Sequence, residues 1–177
     1  MKVSYKVLIP KERVAVLLGE DGKMKKMIEQ RTSTKIIIKE EEVTINSDDS
    51  YKAWITQLII KAIGRGFKPS KALILLNEGY KLEIMDITDF ERTRKGKVRI
   101  KGRIIGEEGK TRKFIEKETG CYVSVYGKTI SIIGPDEWAN IASNAVAILL
   151  NGAQHNTAYN YIQKEAKKLK KRKLRTF

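Results

Sequence analysis

The sequence repeats itself at a constant spacing. Laying Leu17-Leu18-Gly19-Glu20-Asp21-Gly22-Lys23 over Ile104-Ile105-Gly106-Glu107-Glu108-Gly109-Lys110 sets an offset of 87. The same offset pairs Ile28 with Ile115, Glu29 with Glu116 and Thr32 with Thr119. It also pairs Ile36 with Val123, Ile38 with Val125, Val43 with Ile130 and Ile45 with Ile132. No gap is needed over about thirty positions, so the chain reads as two copies of one unit. Any fold it adopts must satisfy one pattern twice.

Each copy has the same order of elements. An alternating segment opens it: Val3, Tyr5, Val7 and Ile9 in the first copy and Leu82, Ile84 and Asp86-Ile87 in the second,. A short helix follows, over 11–18 and about 98–105, then a Gly-x-x-Gly turn and a second helix to about 31 and 118. Met24, Met27 and Ile28, or Phe114 and Ile115, recur at helical spacing on it and read as core,. Gly120 stops the second copy's helix,. Two short alternating strands come next, 35–39 with 43–46 and 122–126 with 129–133, the second pair joined tightly by Gly127-Lys128,. A longer amphipathic helix closes each copy, 50–63 with Ser50 as its cap and about 135–150 with Pro135 near its first turn,. The order is βααββα, twice. Copies over 1–65 and 80–152 leave 66–79 as a connector, which Phe67, Leu73, Ile74, Leu75 and Leu76 mark as packed rather than flexible, and 153–177 as a basic extension.

Composition removes several chemistries. Among 177 residues the only cysteine is Cys121 and the only histidine His155. An intramolecular disulfide, a Cys-based zinc cluster and a His-pair metal site are therefore out of reach. Acidic groups at Glu40-Glu41-Glu42 and Asp48-Asp49 lie at strand ends, where solvated charge is the ordinary reading rather than a two-metal nuclease site,. No P-loop or GxGxxG pattern occurs, and no apolar run reaches the ~18 residues of a membrane span. The expectation is a cytoplasmic, monomeric protein without catalytic residues, metal or cofactor.

Charge supplies the positive signal. Lys plus Arg number 36 and Asp plus Glu 21, a net +15, which attracts polyanions before any specific contact forms,. The excess is uneven: 164–177 holds eight basic residues against Glu165 alone. A second concentration lies at 92–103, with Arg92, Arg94, Lys95, Lys97, Arg99, Lys101 and Arg103 and no acid. It runs directly into the second Gly-x-x-Gly turn.

βααββα with Gly-x-x-Gly between its first two helices resembles the type I KH domain, a module for single-stranded nucleic acid. The whole chain further resembles the archaeal and eukaryotic family called Partner of Nob One, or Dim-two. That resemblance rests on Gly64-Arg65-Gly66-Phe67-Lys68-Pro69 before Ala72 and Leu75-Leu76, on Ile100-Lys101-Gly102-Arg103-Ile104-Ile105-Gly106, and on Val125-Tyr126-Gly127-Lys128-Thr129. It implies an α+β protein of two tandem KH domains, each a three-stranded antiparallel sheet packed on three helices. It also implies binding of small-subunit ribosomal RNA near its 3′ end and help in 3′ maturation. The implied partners are a maturation endonuclease and other small-subunit assembly or translation factors.

In a KH groove the turn backbone approaches phosphates, the following helix offers N–H groups, and bases lie on an apolar floor holding about four nucleotides. The second copy then offers Arg99, Lys101, Arg103, Ile104, Ile105, Gly106, Glu107, Glu108, Gly109, Lys110, Arg112, Lys113 and Val123. The first copy offers Gly19, Glu20, Asp21, Gly22, Lys23 and Lys26 as a secondary RNA or protein contact. Lys167, Lys168, Lys170, Lys171, Arg172 and Lys173 could grip phosphates without selectivity. The acids at both turns, Glu20-Asp21 and Glu107-Glu108, depart from the basic or neutral residues usual there and should weaken binding. Only the second copy has a cationic run to offset them, which makes it the expected RNA binder and the first a degenerate copy. The competing readings are a KH protein of translation or mRNA regulation and a protein scaffold with vestigial grooves.

Overall fold

A computed structural model describes residues 2–176 and divides into two compact units, 1–78 and 79–177. In the first unit β1 (Val3–Leu8) leads to α1 (Lys11–Leu18), a turn at Glu20–Gly22 and α2 (Lys23–Thr32). Then come β2 (Lys35–Lys39), β3 (Glu42–Ser47), α3 (Ser50–Gly64) and α4 (Pro69–Ala72), which runs on into a 3-10 turn at Leu73–Leu76. The second unit repeats the scheme with β4 (Tyr80–Asp86), α5 (Arg94–Ile105), a turn at Glu107–Gly109, α6 (Lys110–Thr119), β5 (Tyr122–Tyr126), β6 (Thr129–Pro135) and α7 (Asp136–Leu150). It ends in α8 (His155–Arg175).

Each sheet is antiparallel with the last strand in the middle, in the orders β1-β3-β2 and β4-β6-β5. Register follows the period-2 pattern. Val43 faces both Val7 and Ile38, and its mate at offset 87, Ile130, faces both Met85 and Val125. The alternate apolar side chains meet the helices, so the buried core of each unit lies between its sheet and its helices,.

Paired residues do the same work in both units. Glu29 Oε1 accepts the Ile36 N–H at 2.7 Å, and Glu116 Oε1 accepts the Val123 N–H at 2.9 Å. Thr32 and Thr119 each return a hydroxyl to the carbonyl four residues back. A carboxylate on the second helix thus ties down the start of the following strand, whose edge amide would otherwise lack a partner.

The structure refines the sequence reading in several places. Helix α5 begins at Arg94 rather than 98, because the Thr93 hydroxyl accepts the Gly96 N–H and nucleates an extra turn,. The cap of α3 is Asp49, not Ser50: its carboxylate accepts the amides of Tyr51 and Lys52. The connector is two short pieces whose Phe67, Ala72, Leu73 and Leu75 are buried. Finally, the basic extension holds α8, a 21-residue helix with Ala158, Ile162, Ala166 and Leu169 buried.

Candidate nucleic-acid interface

The two Gly-x-x-Gly turns have nearly one backbone geometry. Gly19, Asp21 and Gly22 take φ of 68°, 51° and 71°; Gly106, Glu108 and Gly109 take 76°, 53° and 75°. The two glycines of each turn are needed for different reasons. A Cβ at Gly106 would stand 2.3 Å from Thr111 Oγ1 and 2.7 Å from its backbone N, so this glycine lets the turn close onto α6. A Cβ at Gly109 would meet only Lys113 Cε at 3.7 Å, so there the left-handed φ is what favours glycine,. At Gly106 the close packing on Thr111 adds to the φ of 76°, which by itself already favours glycine,.

Helices α2 and α6 start from these turns without a side-chain cap and without an acid in the first turn. Their opening residues are cations, Lys23, Lys25 and Lys26 or Lys110, Arg112 and Lys113. Positive charge at the positive end of a helix dipole costs about 0.3–1 kcal/mol. The arrangement makes electrostatic sense when an anion sits over the turn. Glu20, Asp21, Glu107 and Glu108 are all solvent-exposed.

The walls separate the units. In the first, a cleft of about 520 Å³ is lined by Lys11, Val14, Ala15 and Leu18 of α1 on one side and Glu40 and Glu41 of the β2–β3 turn on the other. The residues 87 further on are Val98, Lys101, Gly102 and Ile105 on α5, and Gly127 and Lys128 on the β5–β6 turn. Two carboxylates are thus replaced by a glycine and a lysine. Lys128 is largely exposed and lies 3.9 Å from Asp86. The helix wall differs as well: α1 carries Glu12 beside Lys11 and Arg13, whereas the longer α5 carries six cations and no acid.

Not every expected contact faces this surface. Ile104 is fully buried and Val123 is 5% exposed, both inside the second unit's core. Ile105, at 36% exposed, stays outside, since successive helix residues point about 100° apart,. Arg103 is spoken for within the unit: its guanidinium donates to Leu149 O at 3.0 Å and to Ala153 O. Arg13 does the same in the first unit, with Nε on Ile63 O and Nη2 on Phe67 O, both at 2.7 Å. Each guanidinium thus ties its helix to one carbonyl in the last turn of the closing helix and to one in the loop just beyond it. His155 completes the second unit's arrangement by donating from Nε2 to Arg103 O at 2.9 Å.

The remaining expected residues are accessible. Arg99 is exposed and 3.7 Å from Glu91. Lys101 is half-buried, Lys110 and Lys113 are exposed, and Lys113 reaches Glu108 O at 3.3 Å. Arg112 Nε is buried with no hydrogen-bond partner among the described residues. On α8, Lys167, Lys168, Lys170, Lys171, Arg172 and Lys173 are exposed, but some are engaged: Lys168 pairs with Glu165, Arg172 with Glu137, and Lys173 sits over the Trp138 ring. Helix α8 starts beside the turn, through His155 and the Thr111–Tyr159 hydrogen bond, and carries Arg172 about 25 Å further along,. The two basic surfaces are therefore distinct. Val98, Gly102, Gly127 and Lys128, absent from the expected contacts, stand at the offset of 87 from the residues that line the first unit's cleft.

Burial pushes the Cys121 thiol up, away from the reactive thiolate, and the His155 ring is held on Arg103 O,. Among the described residues no three His, Cys, Asp or Glu side chains come together as metal ligands, and no helix is long and apolar enough to cross a membrane.

Comparison with known proteins agrees with this geometry. Residues 81–167 match a family described as "Eukaryotic type KH-domain (KH-domain type I)", and residues 4–53 match the KH domain. The chain is 44% identical over 168 residues to KH domain-containing protein MJ0443 of Methanocaldococcus jannaschii, spanning 92% of this chain and 74% of that protein. It is 27% identical over 176 residues to the pre-rRNA-processing protein PNO1 of Chaetomium thermophilum, 94% of this chain and 68% of that one. Its fold matches a chain of the a/eIF2alpha-aDim2p-rRNA complex from Pyrococcus horikoshii with a TM-score of 0.89 and 44% identity, over 94% of this chain and 96% of that one. With two KH domains in tandem and likeness along nearly its whole length, the chain belongs to the PNO1/Dim2-like family of KH-domain proteins.

Proposed function

We propose that the chain binds single-stranded RNA of the small ribosomal subunit, near its 3′ end, through the second unit and so assists assembly and 3′ maturation. The observation that carries this reading is the difference between the walls. Where the first unit sets Glu40 and Glu41 against α1, the second sets Gly127 and Lys128 against an α5 without acids. A backbone of phosphates is repelled by the first pair and drawn to the second, and such charge terms supply much of RNA affinity. The contact set is Val98, Arg99, Lys101, Gly102, Ile105, the 106–109 turn, Lys110, Arg112, Lys113 and Lys128. Ile104, Val123 and Arg103 support that surface from beneath. The Pyrococcus relative, described in complex with rRNA and a/eIF2alpha, supports an rRNA ligand and a translation-factor partner. A maturation endonuclease belongs to the same reading. The exposed α8 lysines add a salt-sensitive, unselective hold.

The test uses Gly109→Asp, whose Cβ would make only an ordinary contact with Lys113 Cε, and the matching Gly22→Asp in the first unit, where a Cβ meets nothing within 4 Å. Gly109→Asp should lower affinity for a small-subunit rRNA 3′ oligonucleotide about 100-fold, about 2.7 kcal/mol, while Gly22→Asp changes it little. Equal losses in both would overturn the assignment to the second unit. Crosslinked RNA scattered over messages, rather than concentrated at the small-subunit 3′ region, would overturn the assembly role.

A further inference from the structure

We propose that the outer face of α3 is a docking surface for an acidic amphipathic helix of a protein partner, seated on α3 as α8 is seated on α7. The repeat itself provides the template. In the second unit α8 lies along α7: Leu169 and Ile141 share one cleft, the Asn144 amide donates to Tyr161 Oη, Arg172 pairs with Glu137, and Lys173 covers Trp138. Ile141 is left 8% exposed. The positions 87 earlier are Trp54 for Ile141 and Tyr51 for Trp138. Trp54 is 42% exposed and Tyr51 59%, with ring centroids 5.9 Å apart. Half-buried Leu58 continues the stripe one turn on.

Large exposed aromatics on one helical stripe are the anchors that helix-in-groove recognition uses. Charge selects the partner. Ser50 stands where Glu137 holds Arg172, and Lys61 stands where Ile148 packs. At these two positions the face has lost the carboxylate that receives a basic helix and gained an ammonium in place of an aliphatic, and the neighbouring Asp49 carboxylate is held on the Tyr51 and Lys52 amides. A helix as basic as α8 is repelled there, and one with carboxylates beside its apolar stripe is attracted. The inference is separate from RNA recognition, which involves the other helices of the fold.

The test uses the full chain carrying Trp138→Phe, which leaves Trp54 as the only tryptophan. The probes are two peptides of residues 155–175. One has the native sequence; the other carries Glu at 168, 172 and 173 and Gln at the remaining Lys and Arg positions. The acidic peptide should shift Trp54 emission to the blue and bind about tenfold more tightly than the native one. Tyr51→Ala should weaken that binding about tenfold at unchanged thermal stability, and Lys61→Glu should reverse the preference between the peptides. No shift at about 1 mM peptide, equal binding of both peptides, a shift produced by oligouridylate instead, or self-association lost on Tyr51→Ala would each overturn the proposal. Binding of the rRNA oligonucleotide, measured on the same samples, reports separately on the second unit.

Discussion

The two units share a backbone and differ in what surrounds it. Their Gly-x-x-Gly turns agree within 8° of φ, their Glu29 and Glu116 tie down the equivalent strand, and Arg13 and Arg103 each reach the last turn of the closing helix. Around this common frame the first unit has an acidic wall, a short α1 and a bare α3. The second has a basic wall, a longer α5 and an α7 covered by α8. The contrast separates two kinds of constraint. Residues that hold the turn in place are kept in both units, while the residues of the surrounding walls change sign.

The largest expected effect tests the shared frame. Arg103→Met removes charged hydrogen bonds to two carbonyls, each worth about 1.5–3 kcal/mol, so the second unit should lose about 3 kcal/mol in urea unfolding,. Arg13→Met should cost the first unit a similar amount. The folded Arg103→Met protein should keep RNA affinity within about twofold. A selective collapse of affinity at full stability would return Arg103 to the RNA contact set.

The walls come next. Gly127→Glu with Lys128→Glu copies the first unit's turn into the second and should weaken RNA binding about 10- to 30-fold, with a smaller salt slope. Unchanged affinity would show that the wall does not set the difference. A smaller effect is expected from Glu40→Gly: Glu40 has φ of 54°, its counterpart Gly127 has 53°, and relieving the left-handed strain should stabilise the first unit by about 0.5–1 kcal/mol,. Denaturant midpoints decide it.

The smallest effect is in acid. The Asp86 carboxylate accepts the Thr88 hydroxyl and amide, with Lys128 and Lys97 nearby, which lowers its pKa below the ordinary 3.8. A carboxyl whose pKa is lower folded than unfolded contributes stability above its unfolded pKa and loses it as pH falls through the folded value. The gap in urea midpoint between the parent and Asp86→Ala should be full well above the ordinary carboxylate range and should close as the pH falls below it. A constant gap would mean that packing rather than charge accounts for Asp86.

Much of the fold was legible because repetition and period reinforce each other. Helix 11–18 and strands 35–39 and 122–126 lie where the alternation and helical spacing put them. The start of α5 was not legible, because its first turn, Arg94 to Lys97, has no apolar residue to reveal a period and depends on the Thr93 cap. Asp49 and Ser50 are both good caps, and only geometry chooses between them. In the candidate site, adjacent Ile104 and Ile105 read alike in one dimension. A helix turn of about 100° sends one into the core and the other out,. The cationic run had the same ambiguity: Arg99 faces solvent, but Arg103 faces two carbonyls.

The sequence by itself determined that there are two copies, that each carries a glycine turn between two helices, and that cations gather before the second. Those properties reside in spacing and composition, which need no partner to be defined. Tertiary structure decided what each charged or apolar group is used for, since that depends on neighbours far away in the chain. Arg103 meets residues 46 and 50 positions on, and His155 returns to it across 52. Packing also decided that α8 closes over α7 while Tyr51 and Trp54 stay uncovered on α3. The repeat made these helices equivalent; only the fold left one of them bare.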